Sequence, residues 1–220
     1  MAIVIGNKTQ SNQNPAGSSQ TLAHTQNTGT DLGLLVVITM PNTVNFSGCT
    51  YGGVAMTLVQ NINYSGQSQR CGAYYLQAPA TGGNNIVVSF SGNQWNSTSI
   101  FAVSFTGAGN FGAFGSNGAL TTPNSQSITI AQNSIVYLTG LSTNAQNTQY
   151  SIGGSSRAFE FSHNTNKIVR GALSATGLSA GATNVTTNAD FGSITNFRVE
   201  IQEASASPST DDADFFMILE

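Results

Sequence analysis

Charge is what this chain has least of: 15 of its 220 residues are charged, six basic and nine acidic, for a net charge of -3. The Lys and Arg residues are scattered from Lys8 to Arg198 with no basic run, so no row of phosphates can be neutralised and nucleic acid is not an expected partner. Histidine is scarcer still. His24 lies in the strand-like TLAHT and His163 follows RAFEFS, neither beside a G-x-S-x-G nucleophile motif, so the sequence offers no hydrolytic triad. Glu160, Asp31 and Asp190 form no pair of facing carboxylates for glycoside hydrolysis. Asp211, Asp212 and Asp214 lack the turn glycine and closing Glu of a calcium loop, and no glycine-rich phosphate-binding fingerprint occurs. The expectation is a non-enzymatic protein with no cofactor and no metal.

Cysteine is limited to Cys49 and Cys71, which excludes a disulfide framework. They form either one bridge or two small buried hydrophobes. Long apolar runs are also missing: none approaches the roughly 20 residues that span a bilayer. The N-terminus MAIVIGNKTQ has no basic n-region and no adequate apolar core, so neither a membrane partner nor an export signal is expected.

What is abundant is uncharged polarity. Asn, Ser, Thr and Gln supply 88 residues and Gly 24, just over half the chain, yet 39% of residues are hydrophobic. That balance describes a folded protein with an uncharged polar surface rather than a disordered one. Short β-patterned runs recur between Gly, Asn and Ser turns, among them 2–7, 20–25, 32–39, 45–50, 54–59, 71–77, 85–91, 100–106, 125–130, 134–139, 157–162, 167–175 and 197–203. Sustained helical periodicity is absent. The expected fold is all-β, an antiparallel β-sandwich forming a single domain over 1–220.

Local patterns refine this. Residues 34–38 are continuously apolar, which predicts a central strand covered on both faces or one packed beside another subunit, and Gly52-Gly53 marks a two-residue hairpin after Tyr51. Within SIVYLTG, Ile135 and Tyr137 share a face, as Phe159 and Phe161 do in RAFEFS, while Tyr74 and Tyr75 point opposite ways. In TYGGVAMTLV the alternation places Val54, Met56 and Leu58 on one face and Ala55, Thr57 and Val59 on the other. The segment 107–117, GAGNFGAFGSN, is too glycine-rich for a regular strand; as a loop it either exposes Phe111 and Phe114 as partner contacts or folds them over the core. Residues 204–214 read as a polar acidic loop before a terminal strand 215–219, whose Phe215 and Phe216 belong to the core or to an arm on a neighbouring subunit. Trp95 with Asn93, Gln94 and Asn96 combines an aromatic platform and amides, the residue types of a glycan contact, although a Trp that packs at the base of a loop is the commoner arrangement.

The ordered series TLAHT, LGLLVVIT, TYGGVAMTLV, AYYLQAPATGGNNIVVSFSG and IFAVSFTGAG resembles a family of β-sandwich domains found in phage virion proteins and bacterial surface proteins. The likeness covers Gln20 to about Gly109, with Gln77-Ala78-Pro79 standing where family members often carry Asn before one or two prolines. The resemblance implies a jelly-roll-like sandwich with no shared catalytic residues. It further implies a phage capsid decoration (cement) protein, a homotrimer bound to the major capsid protein and located in the virion. The alternative it leaves is a tail or head-fibre module that binds host cell-surface glycans.

Overall fold

The computed structural model describes residues 1–13, 17–64, 68–94, 98–117, 124–142, 150–153, 155–157, 168–174, 178–187 and 194–205. These form an all-β antiparallel sandwich. The first half holds β1 (Val4–Gln13), β2 (Gly17–Gln26), β3 (Gly33–Pro41), β4 (Phe46–Tyr51), β5 (Val54–Ala55), β6 (Thr57–Tyr64), β7 (Gln69–Gln77), β8 (Gly82–Gln94) and β9 (Thr98–Thr106). The second holds β10 (Ala108–Asn117), β11 (Asn124–Ile130), β12 (Ile135–Ser142), β13 (Tyr150–Ile152), β14 (Ser155–Arg157), β15 (Ile168–Leu173), β16 (Gly181–Thr187) and β17 (Ile194–Glu203).

The strands make four sheets rather than the two of a simple sandwich. In the first half an outer sheet β2-β8-β4-β5 faces an inner sheet β1-β9-β3-β7-β6; in the second an inner sheet β10-β17-β12-β15 faces an outer sheet β11-β16-β13-β14. Side-chain alternation gives each inner sheet two apolar faces. Leu34, Val36, Ile38, Ile100 and Ala102 pack on Leu22, Tyr51, Ile86 and Val88 of the first outer sheet. Leu35, Val37, Phe101, Val103 and Phe105 pack on Ile135, Tyr137, Val199 and Ile201 of the second inner sheet. Val136 and Leu138 then pack on Ile128, Ile130, Ile152 and Val185 of the second outer sheet. The layers are therefore outer, inner, inner, outer, with a core between each adjacent pair.

This stacking explains why β3 is buried from Gly33 to Met40, as its unbroken apolar run predicts. Across the middle layer Phe101 and Tyr137 stack with ring centroids 5.7 Å apart, and the Tyr75 hydroxyl donates to the Gly109 carbonyl at 2.7 Å. Tyr74 and Tyr75 face opposite cores, as strand alternation requires.

The two halves share one topology. With β6 set aside as an added edge strand and each half renumbered from its own start, both inner sheets read 1-8-3-6 and both outer sheets 2-7-4-5. Finer features repeat too. A register shift between Ile5 and Lys8, opposite Phe105 and Val103, recurs between Phe111 and Phe114, opposite Ile201 and Val199. Tyr51 pairs with Val54 around one two-residue hairpin and Ile152 with Ser155 around another; Gly52 N–H donates to Asn85 O (3.0 Å) and Gly153 N–H to Asn184 O (2.8 Å). Asp31 and Asn133, each two residues before β3 or β12, both adopt positive φ, at 51° and 61°.

Two local expectations are corrected. GAGNFGAFGSN is a strand, β10, because its glycines leave room for large side chains of β17 beneath them: a Cβ at Gly112 would run into the Glu200 carboxylate, and one at Gly115 would lie 2.7 Å from Arg198 Cζ. The simple alternation after Gly53 is broken between β5 and β6 and by a register shift at Leu58/Gln60. Met56 therefore turns into the first outer–inner core and Val59 into the middle core, while Val54 and Leu58 are both exposed.

Candidate functional site

A β-bulge adds a residue to one strand, bends it and re-aims its side chains. In β1 the bulge falls at Gly6-Asn7, on the edge of the first inner sheet beside the β2 edge of the first outer sheet. Asn7 N–H donates to Asn27 Oδ1 (2.8 Å) and Asn7 Nδ2 to the Thr25 carbonyl (2.9 Å), which ties the two edges together. A groove of about 760 Å³ opens between them, walled by Asn7, Lys8, Thr25, Gly83, Asn84 and Asn85.

His24 and Thr9 lie at its base. His24 is only 2% exposed, with Nδ1 2.9 Å from Thr9 Oγ1 and Nε2 2.7 Å from Ser104 Oγ. Tyr51 meets the imidazole edge-on with ring centroids 6.2 Å apart. Burial pushes the imidazole down to about 4, so the ring is neutral at pH 7, with one nitrogen donating and the other accepting. Ser104 and His24 stand at nucleophile–base distance. The place of an orienting carboxylate at Nδ1 is taken by Thr9, however, and Ser104 is fully buried.

The matching bulge in β10 is held from within. Ala113 N–H donates to Glu200 Oε2 at 2.7 Å, while Oε1 accepts from Ala131 N–H and Ser134 Oγ, both at 2.6 Å. Glu200 is 1% exposed, a buried carboxylate that joins β17 to β10 and to the turn between β11 and β12. Beside it Arg198 is also buried, and desolvation lowers its guanidinium below the ordinary arginine value.

The residues singled out from sequence are dispersed. Phe111 is half-buried, packed against the middle core with its ring 6.0 Å from Tyr75 in an edge-on contact, whereas Phe114 is 51% exposed. Asn93 is exposed near the end of β8, which closes at Gln94. Trp95, Asn96, Phe215 and Phe216 lie outside the described residues, as do Glu160, Phe159, Phe161, His163, Asp190 and the acidic run 211–214. Cys49 and Cys71 are buried in different cores, on the two sides of the first inner sheet, and no disulfide joins them. Among the described residues no three His, Cys, Asp or Glu side chains gather as a metal site. The groove and the Glu200 cluster were not visible as sites in the sequence; the glycines opposite Arg198 and Glu200 were the available signal.

Comparison with known protein families, with curated proteins and with solved structures finds no match.

Proposed function

We propose that the protein is a non-enzymatic structural component of a phage virion, a decoration protein that binds the outer surface of the capsid and clamps neighbouring shell subunits. The observation that carries this reading is the strand order. Successive strands β1 to β4 alternate between facing sheets and the closing strands β8 and β9 return beside the opening ones. We read that path, repeated in the second half, as a jelly roll, an architecture used by viral capsid domains.

Several properties agree with such a role. Four antiparallel layers with three apolar cores make a stiff block. Its uncharged, Asn/Ser/Thr-rich exterior suits a surface that must stay dispersed at high local density. Val54, Leu58 and Phe114 are exposed apolar side chains available to a partner. The mechanism is added buried area between protein and shell, which raises the barrier to rupture. The partner is the major capsid protein, the oligomer a trimer and the location the virion.

Sedimentation of purified capsids with the added protein tests this. Co-sedimentation at saturable stoichiometry, with a higher shell rupture temperature, is the expected result; a protein left entirely in the supernatant overturns the proposal. Light scattering of the free protein checks the trimer.

A further inference from the structure

We propose that the groove at the β1 bulge binds an uncharged, hydroxyl-rich saccharide. Its space, about 760 Å³, falls within the roughly 300–1,000 Å³ typical of small-ligand sites. Its walls carry carboxamides at Asn7, Asn84 and Asn85, hydroxyls at Thr9 and Thr25, and a single cation at Lys8. A carboxamide presents a donor and an acceptor side by side, which complements a sugar hydroxyl that both donates and accepts. One ammonium among so many amides is a poor anion site, and Ala23 alone gives too little apolar wall for a greasy ligand.

The groove is also pre-set. The Thr9–His24–Ser104 chain fixes its floor, and the Asn7 bonds to Asn27 and Thr25 fix its width, so a ligand need not order them. Packing does not account for the glycine in its wall: a Cβ at Gly83 would meet only Thr25 Oγ1, at 3.9 Å. The bare backbone there leaves the wall low enough for a ring to approach.

The second half acts as an internal comparison. By register, Thr9, His24, Ala102 and Ser104 correspond to Gly115, Ile128, Arg198 and Glu200. There Arg198 and Glu200 are buried, and Glu200 holds the bulge from inside through Ala113 N–H. The fold is thus built without a His24-type polar floor in one half and with one in the other, which points to a use for it beyond folding.

The test is saturation-transfer NMR on the full chain with chitotriose, maltotriose, mannotriose and, as an acidic control, trigalacturonate. Transfer to at least one neutral trisaccharide is expected, with affinity weakened about tenfold in Gly83→Val, which plugs the wall, and in Asn85→Ala, which removes one exposed amide. Circular dichroism identifies any variant that fails to fold; Asn85→Ala, at an exposed position, remains decisive if Gly83→Val does. Silence from all three neutral sugars, transfer from trigalacturonate alone, or unchanged affinity in the folded variants would overturn the inference. None of these readouts involves a capsid, so this proposal and the decoration proposal fail separately.

Discussion

Replacing Glu200 by Ala removes the acceptor for Ala113 N–H, Ala131 N–H and Ser134 Oγ at once. The two amides are part-buried, so water can reach them after the change, and each costs about 1 kcal/mol; the buried Ser134 hydroxyl costs about 2 kcal/mol. Against this, losing a buried charge recovers part of a desolvation penalty of several kcal/mol, which leaves a net destabilisation of about 1–3 kcal/mol. Glu200→Gln keeps the shape and one carbonyl acceptor but turns an NH2 toward one of the donors, so about 1–2 kcal/mol is expected. Urea unfolding followed by circular dichroism measures both, with an unchanged m-value as the check that the unfolded state is comparable. Gly112→Ala supplies the coupling test. Its new Cβ collides with the carboxylate and crowds the Gln202 amide (Nε2 at 2.5 Å) in the wild type, whereas in Glu200→Ala only the movable end of Gln202 stands in its way, so the double variant should be more stable than the sum of the single changes implies. A loss below about 1 kcal/mol for Glu200→Ala, or strict additivity with Gly112→Ala, would refute the assignment of Glu200 as the inner support of the β10 bulge.

Other predictions follow from groups already placed. His24 has a folded pKa of about 4 against 6.5 when free, so the unfolded chain takes up a proton first. The stability His24 contributes is full above pH 6.5 and is lost as pH falls from 6.5 toward 4, by at most about 3 kcal/mol and nearer 2 given the open groove above the ring. Thermal unfolding of the wild type and His24→Gln across that window should show a pH-dependent difference; parallel profiles would count against it. Burial pushes the Cys49 thiol up to about 12 and leaves Cys71 only 1% exposed, so both thiols should ignore a thiol reagent in the native state and react in denaturant without prior reduction. Phe111→Ala should lower stability by about 2 kcal/mol through lost packing against Tyr75. Phe114→Ala should change stability by less than about 0.5 kcal/mol while weakening capsid co-sedimentation.

Much of the fold was legible wherever one residue's pattern carried one meaning. The apolar run 34–38 reads as a strand covered on both faces, and β3 is one. Gly52-Gly53 reads as a tight hairpin, and both residues adopt positive φ, 55° and 82°. Failures came where long-range packing assigned the meaning. Residues 197–203 read as a strand, but nothing local in them shows that Arg198 and Glu200 are buried, because the sheet that covers that face comes from distant segments. The same cover makes the glycines of β10 obligatory, so a segment that resembles a loop is a bulged strand. The groove stayed hidden because its walls come from β1, β2 and β8, whose amides look like ordinary surface residues when read one at a time. The shared topology was hidden because strand order and bulge position recur with different side chains, Thr9 against Gly115 and Ser104 against Glu200.

The order of the layers also sets the order in which the nascent chain can bury its surfaces. Every strand of the first outer and inner sheets lies within residues 4–106, so that half can close before β10 is synthesised. The cover over Leu35, Val37, Phe101, Val103 and Phe105 is completed only when β17 supplies Val199 and Ile201. Between the completion of β9 and the synthesis of β17, then, that apolar face is at best partly covered, and two chains emerging from one message present identical faces to each other. Slow elongation through the second half should favour face-to-face pairing of first halves and entangled oligomers, whereas rapid completion, or a holdase over that sheet, should favour chains that each close on their own second half.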